Sequence, residues 1–488
     1  MSAQFVLVPV LLPIAGGFLL LARPIRNAKK RNIVLMTLTL ATSILTALVL
    51  ALGDRGTAEI YSFIEKFSIA FRVDGFAELF AGMLSVLWPS VMLYAFSYME
   101  HEKQQDRFFA FFLISYGVTL GAAFSANLVT MYVFYEMLTL ATLPLVTHKE
   151  DGDSMFAGQR YLTYCLGGAA MALVPVILAT LYGGGDFVYG GSMTEGLAPE
   201  LMRAAFLLGF FGFGAKAALF PLFTWLPTAS VAPTPVTALL HAVAVVNTGF
   251  FSVTRLTWYV FGPALLEGTW VKDSCVIAAG CSLLIGAVMA LKQRHLKRRL
   301  AYSTMSNLSY MLFGAALMTQ TGLLGGIAHM LFHSMMKITL FLCAGAVMHV
   351  TGKEYIYEID GFGRRMPVTF TCFTISALSL SGIPPLCGFV SKWRLLTAGT
   401  EESSPAAWIG VGMLLAAAFL CTIYSLSVCV RAYFPANKEK KAEGKSIVCE
   451  ADWRMLLPIC AYTVMVVLFG IWQTPVMNWL SGIANGLY

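Results

Sequence analysis

Charge is what this chain has least of. Of its 488 residues, 12% are Asp, Glu, Lys or Arg and 58% are hydrophobic, whereas a soluble domain carries about 25% charged residues. Too few polar side chains remain to cover a water-facing surface, so the chain reads as an all-α polytopic membrane protein. Cysteine spacing excludes more. The ten cysteines are scattered; none form C-x-x-C, no zinc or iron–sulfur pattern arises, and most lie in apolar runs as small packing residues. There is no G-x-x-x-x-G-K-[ST] nucleotide loop. No basic segment precedes the first apolar run, which is therefore expected to be a span and not a cleavable signal. The net charge of +7 sits in short loops between apolar runs and not on one basic face, which argues against nucleic acid. No metal and no cofactor are expected in this chain, so its energy source must be an ion gradient or a partner subunit.

What is there is a series of apolar runs near the ~20 residues a helical span needs. They fall at 4–22, 33–52, 75–99, 108–124, 127–147, 157–182, 203–226, 233–261, 273–292, 298–318, 323–349, 367–398, 406–433 and 454–473, which makes fourteen. The basic clusters at 23–31, 292–299 and 431–454 all follow odd-numbered spans, while the opposite loops carry only Arg55, Lys66, Arg72, Arg203 and Lys272. By the positive-inside rule both termini are expected outside. The stretch 67–74, FSIAFRVD, alternates as a half-buried strand does, which predicts an extended or hairpin element on the outer surface. The charged loop 437–452 is expected to be a solvated inside loop.

The charges inside the spans are the informative ones, because a lysine at mid-membrane costs about 2.5–3.5 kcal/mol on insertion scales. The stretch 205–227, AFLLGFFGFGAKAALFPLFTWLP, carries Lys216 near its middle, then Pro221 and Pro227. A proline inside a span frees carbonyls that only protein or a water-lined cavity can take up, so a charge beside such a break is a candidate ion path. Snorkelling to the surface is the alternative, opposed by the apolar residues before Lys216 and by Pro221 after it. Glu136 stands alone in the apolar run 131–140 and needs a partner or a proton. Lys216 is the expected partner, in a pair that holds the lysine's proton when closed and frees it when opened; a static ion pair is the alternative. His241 is a relay candidate or else a satisfied core histidine.

His329, His333 and Lys337 recur at i, i+4 and i+8, one stripe of a 3.6-residue helix. Histidine passes protons through either ring nitrogen near neutral pH, so the stripe, with Ser334, looks like a proton wire. It lacks the Glu of H-E-x-x-H and a third ligand, which argues against a metal. Lys392 follows the break at Pro384 and Pro385 and is expected to be the last proton holder on the outer side; Arg394 lies nearer the interface. A row of titratable groups through the membrane centre suits protons and offers no pocket for a large organic solute.

Spans 4–8 and 9–13 each have a proline-broken fourth member bearing a lysine. A unit with an odd number of spans must appear inverted in its second copy, a recurring transporter plan. The expected division is 1–107 (spans 1–3 with the outer strand-like loop), 108–261 (repeat one), 262–433 (repeat two) and 434–488 (inside loop and span 14).

These residues resemble a known family. Tyr135-Glu136-Met137, the run from Lys216 through Pro221 and Trp225 to Pro227, Ala232-Pro233-Thr234-Pro235-Val236 with Leu239-Leu240-His241-Ala242, the block 329–337, and Gly382-Ile383-Pro384-Pro385 through Gly388-Phe389-Val390-Ser391-Lys392 are similar to the antiporter-like membrane subunits of respiratory complex I, Mrp-type sodium/proton antiporters and membrane-bound hydrogenases. The resemblance covers about residues 70–400. It implies fourteen core helices with inverted five-helix repeats in a prokaryotic cell membrane. It implies Glu136 with Lys216 as coupling pair, His241, His333 and Lys337 as relay, and Lys392 as terminal group. The implied partners are other antiporter-like chains, small membrane subunits and a hydrogenase or other iron–sulfur redox module. Two departures stand out. Asn247 occupies a place where several members carry a lysine, and the chain has no room for the long lateral helix of the largest complex I subunit. The expected function is a proton-translocating or sodium/proton-antiporting subunit of an ion-pumping complex. A stand-alone secondary antiporter and a non-conducting structural subunit are the alternatives.

Overall fold

Inside a bilayer every backbone N–H and C=O must be satisfied by the chain itself, so apolar runs become helices and interruptions need side-chain partners. The computed structural model describes residues 2–64, 67–183, 185–193, 198–434 and 448–487. Lys66 and the lysines at 438, 440, 441 and 445 lie outside the described residues, as does most of the loop read at 437–452. The helices are α1 (Leu7–Ala22), α2 (Ala28–Leu52), α3 (Gly75–Tyr98), α4 (Gln105–Ala123), α5 (Leu128–Val146), α6 (Gly152–Gly183), α7 (Pro199–Gly214), a short α8 (Trp225–Thr228), α9 (Thr234–Ala242), α10 (Val245–Arg255), a short α11 (Pro263–Leu266), α12 (Trp270–Lys292), α13 (Leu296–Ala316), α14 (Gln320–Thr351), α15 (Pro367–Ser381), α16 (Cys387–Glu402) and α17 (Pro405–Tyr433). Two more follow, Trp453–Ile471 and Gln473–Ala484. Among the described residues, ten helical segments are long and apolar enough to cross a membrane. The chain is an integral multi-pass membrane protein.

Helix α14 and the segment 234–261 are enclosed on all sides, whereas α1, α2, α6 and α17 leave more than half of their most apolar stretch uncovered. The polar axis described below runs through the enclosed pair. Between α2 and α3 the chain forms a hairpin, β1 (Ala58–Ile64) antiparallel to β2 (Phe67–Phe71). The alternation over 67–74 is therefore a strand for its first five residues. Asn127, with its side chain accepting from Thr130 N at 2.8 Å, caps α5 and donates to Ser68 O at 3.0 Å, so the hairpin is tied to the bundle.

Three features differ from the sequence reading. The run 203–226 is not one helix with Lys216 at its middle: α7 ends at Gly214 and Lys216 lies in the turn that follows. Gly209, Gly212 and Gly214 give this end little helix propensity, and its released carbonyls find other donors. Tyr135 OH donates to Gly212 O and Phe213 O at 3.3 Å each, and Trp225 Nε1 donates to Ala215 O at 2.8 Å. The run 233–261 is broken as well, between Ala242 and Val245, and closes in a π-helix over Leu256–Phe261. No proline or glycine marks that break. Finally, the helix Gln473–Ala484 buries Met477, Leu480 and Ile483, and Ala484 O accepts from Tyr189 OH at 2.5 Å.

The segment 234–261 is anchored at its far end by one ion pair. Arg255, fully buried, is bidentate to Asp74, with Nη2–Oδ1 2.6 Å and Nη1–Oδ2 2.7 Å. Its guanidinium lies 4.4–5.4 Å from the rings of Phe76, Phe187, Phe251 and Tyr259. Removing one member of a buried pair strands the other. Arg255→Met should therefore destabilise the purified chain by about 3–5 kcal/mol, read as a drop in its thermal midpoint, and adding Asp74→Leu should recover much of the loss.

Candidate functional site

At the first break Lys216 is completely buried. Its Nζ donates to Tyr135 O and sits 3.5 Å from the centre of the Tyr135 ring, so α5 provides both a carbonyl and a π face. Helix α10 comes close here: a Cβ on Gly249 would meet Ala217 N at 2.4 Å and Lys216 C at 2.8 Å, so only glycine allows the approach. Glu136 and Lys216 lie close enough for their charges to attract one another but form no direct ion pair. No oxygen of Glu136 lies within ion-pair distance of Lys216 among the described residues; Glu136 Oε1 is buried without a hydrogen-bond partner. The reason is helical phase. Tyr135 points into the bundle, and its successor Glu136 is turned toward the face that carries exposed Val133, Met137 and Leu140. Pro221 lies in the turn after α7, and Pro227 sits inside the short α8, which ends one residue later.

The second break is held by side chains. Ala242 O, released where α9 ends, accepts from Asn247 Nδ2 at 3.0 Å and from Ser334 Oγ at 2.9 Å, and Asn247 Nδ2 also reaches Ser334 Oγ at 2.8 Å. Asn247 therefore braces the broken segment against α14. His241, one residue before the break, packs its ring 5.3 Å from Phe341, and neither ring nitrogen has a protein partner.

On α14, the His329 and His333 rings lie 5.9 Å apart. Both nitrogens of His333 lack protein partners, while His329 Nδ1 is 2.9 Å from Ser391 Oγ. Lys337 Nζ donates to Ser303 Oγ at 2.7 Å and to Leu300 O at 3.1 Å. The Ser303 hydroxyl is in turn 2.7 Å from Tyr424 OH. At the third break, where α15 ends and Pro384 and Pro385 precede α16, Leu380 O accepts from Lys392 Nζ at 2.6 Å and from Cys421 Sγ at 3.5 Å. Cys421 and Tyr424 lie three residues apart on α17 and so share a face, which sets Ser303, Tyr424 and Cys421 as a polar row between Lys337 and Lys392. On the other side His333 and His329 lie one and two turns before Lys337 on α14, and His329 meets Ser391, the residue before Lys392.

Sequence reasoning missed Lys297. It reads as one of five basic residues at a span end, yet it is buried and its Nζ donates to Ala232 O at 2.8 Å, beside the start of α9. It forms the floor of an open vestibule of about 470 Å³, lined also by Glu102, Asp151, Asp153, His295 and Glu354. Burial holds the His295 imidazole below its ordinary value; Glu354, 3.2 Å away, pulls it up, and Lys297 pushes it down again. Ser303, Tyr424 and Cys421 also escaped notice, because a hydroxyl or thiol in a helix gives no signal until its neighbours are known.

Comparison with known proteins now bears on this geometry. Residues 125–417, more than half of the chain and all three breaks, match the family described as "NADH:quinone oxidoreductase/Mrp antiporter, TM". The chain belongs to that family. Residues 62–109 match "NADH-Ubiquinone oxidoreductase (complex I), chain 5 N-terminus". The chain is 30% identical over 97% of its length to NAD(P)H-quinone oxidoreductase subunit 5 of Paulinella chromatophora, 76% of which is covered. It is 29% identical over 85% of its length to Na(+)/H(+) antiporter subunit A1 of Staphylococcus haemolyticus, of which it spans only 54%. Among solved structures it superposes on a chain of the membrane-bound sulfane sulfur reductase, an archaeal respiratory membrane complex. That match has a TM-score of 0.87 and 22% identity, over 99% of this chain and 98% of the other, which fixes the fold.

The brace at the second break yields a prediction. Asn247→Ala or Ser334→Ala should each lower stability by about 1 kcal/mol, while the double variant, which leaves Ala242 O bare, should cost more than the sum. Thermal unfolding of the three purified variants checks it.

Proposed function

We propose that this chain is a proton-translocating membrane subunit of a multisubunit ion-pumping complex in a prokaryotic cell membrane. Protons enter at the Lys297 vestibule and pass His241, Lys337 and the histidine stripe to Lys392, while Lys216 and Glu136 couple the row to a neighbouring subunit. One observation carries the reading. Lys216, Lys297, Lys337 and Lys392 are all buried, and each Nζ is held by a backbone carbonyl or hydroxyl, with no carboxylate in ion-pair range among the described residues. Lys272, in contrast, is buried in an ion pair with Glu402 at 2.5 Å. A lysine locked to a carboxylate keeps its proton; one resting on neutral oxygens is free to hand it on. The unpartnered ring nitrogens of His241 and His333 offer bonds to water between the lysines.

The staphylococcal relative is named for sodium/proton exchange. In this chain the axis serves the proton: its groups are bases, and a hard cation needs several oxygen ligands that amines and imidazoles do not supply. In the same reading α4, α13 and the broken segments 203–226 and 367–398 join the ten apolar helices to make fourteen spans with both termini outside. Residues 108–261 and 262–433 are two five-span units of opposite orientation, flanked by 1–107 and 434–488, and Lys216 and Lys392 are counterparts at their breaks. The exposed face of α5 beside Glu136 fits a sister subunit, and an iron–sulfur module elsewhere in the complex is the source of work.

The experiment is proton pumping by the assembled complex in vesicles. Lys216→Ala and Lys337→Ala should each reduce it at least about tenfold with assembly unchanged, since each removes a link that nothing else replaces. Lys272→Ala should leave pumping near normal. Full pumping by Lys216→Ala would sink the proposal, and normal pumping by Lys337→Ala together with Lys392→Ala would favour a structural subunit.

A further inference from the structure

Apart from the axis, the basic end of the bundle carries a cavity of about 540 Å³ where α12 ends, α13 begins and α17 ends. Its rim holds three guanidiniums, Arg294, Arg299 and Arg431, and its walls are Leu291, Ile356 and Tyr357. No carboxylate lines it among the described residues. Among the described residues Asp360 lies 3.7 Å from Arg431 Nη1, and that arginine's side chain is still 49% exposed.

Arg299 is fixed in place. Its N–H groups go to the carbonyls of Leu291, Gln293 and Tyr424 and to Ser427 Oγ at 2.8–3.4 Å. It therefore presents a rigid positive charge with no carboxylate in ion-pair range among the described residues. Arg294 is exposed, and its side chain has no partner among the described residues. Three like charges gathered around one cavity repel one another unless an anion joins them. Arg299 has every N–H engaged and offers its charge, while the planar forks of Arg294 and Arg431 suit phosphate, each matching two of its oxygens.

The surroundings specify the kind of anion. From the cavity, α12 runs down through exposed Leu291 and Val288, and α17 through exposed Val430 and Ile423. At the cavity a charged ligand meets guanidiniums; below it an apolar chain meets aliphatic side chains. A free anion would use only the first half of this surface. Basic pockets between membrane helices at the headgroup level are the usual form of an anionic-lipid site.

We propose that this cavity binds the headgroup phosphate of an anionic phospholipid, whose acyl chains lie along α12 and α17. The inference is independent of the proton axis. It is tested on the intact chain purified in mild detergent, by native mass spectrometry with phosphatidylglycerol, cardiolipin or phosphatidylcholine added. The wild type should retain the two anionic lipids and discriminate against phosphatidylcholine. Arg294→Gln with Arg431→Gln, which spares the structural Arg299, should lower that retention about thirtyfold and leave the lipid-free thermal midpoint unchanged. Equal retention by the double variant or equal binding of phosphatidylcholine would overturn the proposal. So would displacement of the lipid by inorganic phosphate. A photo-crosslinking residue at position 357 that captured a neighbouring subunit instead of a phospholipid would overturn it too.

Discussion

A helix can stop inside a membrane only where something else bonds the carbonyls it releases, and this structure depends on how three such stops are met. Gly212, Phe213 and Ala215 are met by Tyr135 and Trp225, Ala242 by Asn247 and Ser334, and Leu380 by Lys392 and Cys421. Lys297 does the same for Ala232 at the head of the second broken segment. The donors that make the breaks tolerable include the ionisable groups of the axis. Fold and polar path are thus built from the same bonds, and the enclosed position of α14 and the segment 234–261 follows from it.

The buried charges divide into two kinds. Arg255 with Asp74, and Lys272 with Glu402, are closed pairs in which each charge has its counter-ion; they hold helix ends and the hairpin side of the bundle in register. The lysines at 216, 297, 337 and 392 rest on backbone carbonyls and a hydroxyl, with no carboxylate in ion-pair range among the described residues. A low-dielectric interior exacts a large cost for a charge held so, and a fold that only needed packing would have apolar side chains there. The closed pairs serve the packing alone, whereas the open lysines serve both the breaks and the proposed transport.

Much of this was legible in the sequence, and the reasons are physical. Long apolar runs have few alternatives to a spanning helix, and the i, i+4, i+8 stripe of His329, His333 and Lys337 stays on one face because α14 is unbroken. Prolines at 221, 384 and 385 marked two of the three stops. The stop after Ala242 was hidden because the residues that pay for it, Asn247 and Ser334, lie five residues on and in another helix. Lys297 was hidden in a basic cluster, since a span end looks the same whether its lysine faces headgroups or turns inward. Pairing Glu136 with Lys216 needed the phase of α5, in which Tyr135, not Glu136, faces the lysine.

Infrared difference spectroscopy of the complex with 15N-labelled lysine, comparing resting and turning-over states, tests most directly whether these lysines exchange protons. A titrating axis predicts an ammonium deformation band that shifts with the label and loses part of its amplitude in Lys216→Ala. A difference spectrum with no lysine band, from a complex that is pumping protons, would contradict it.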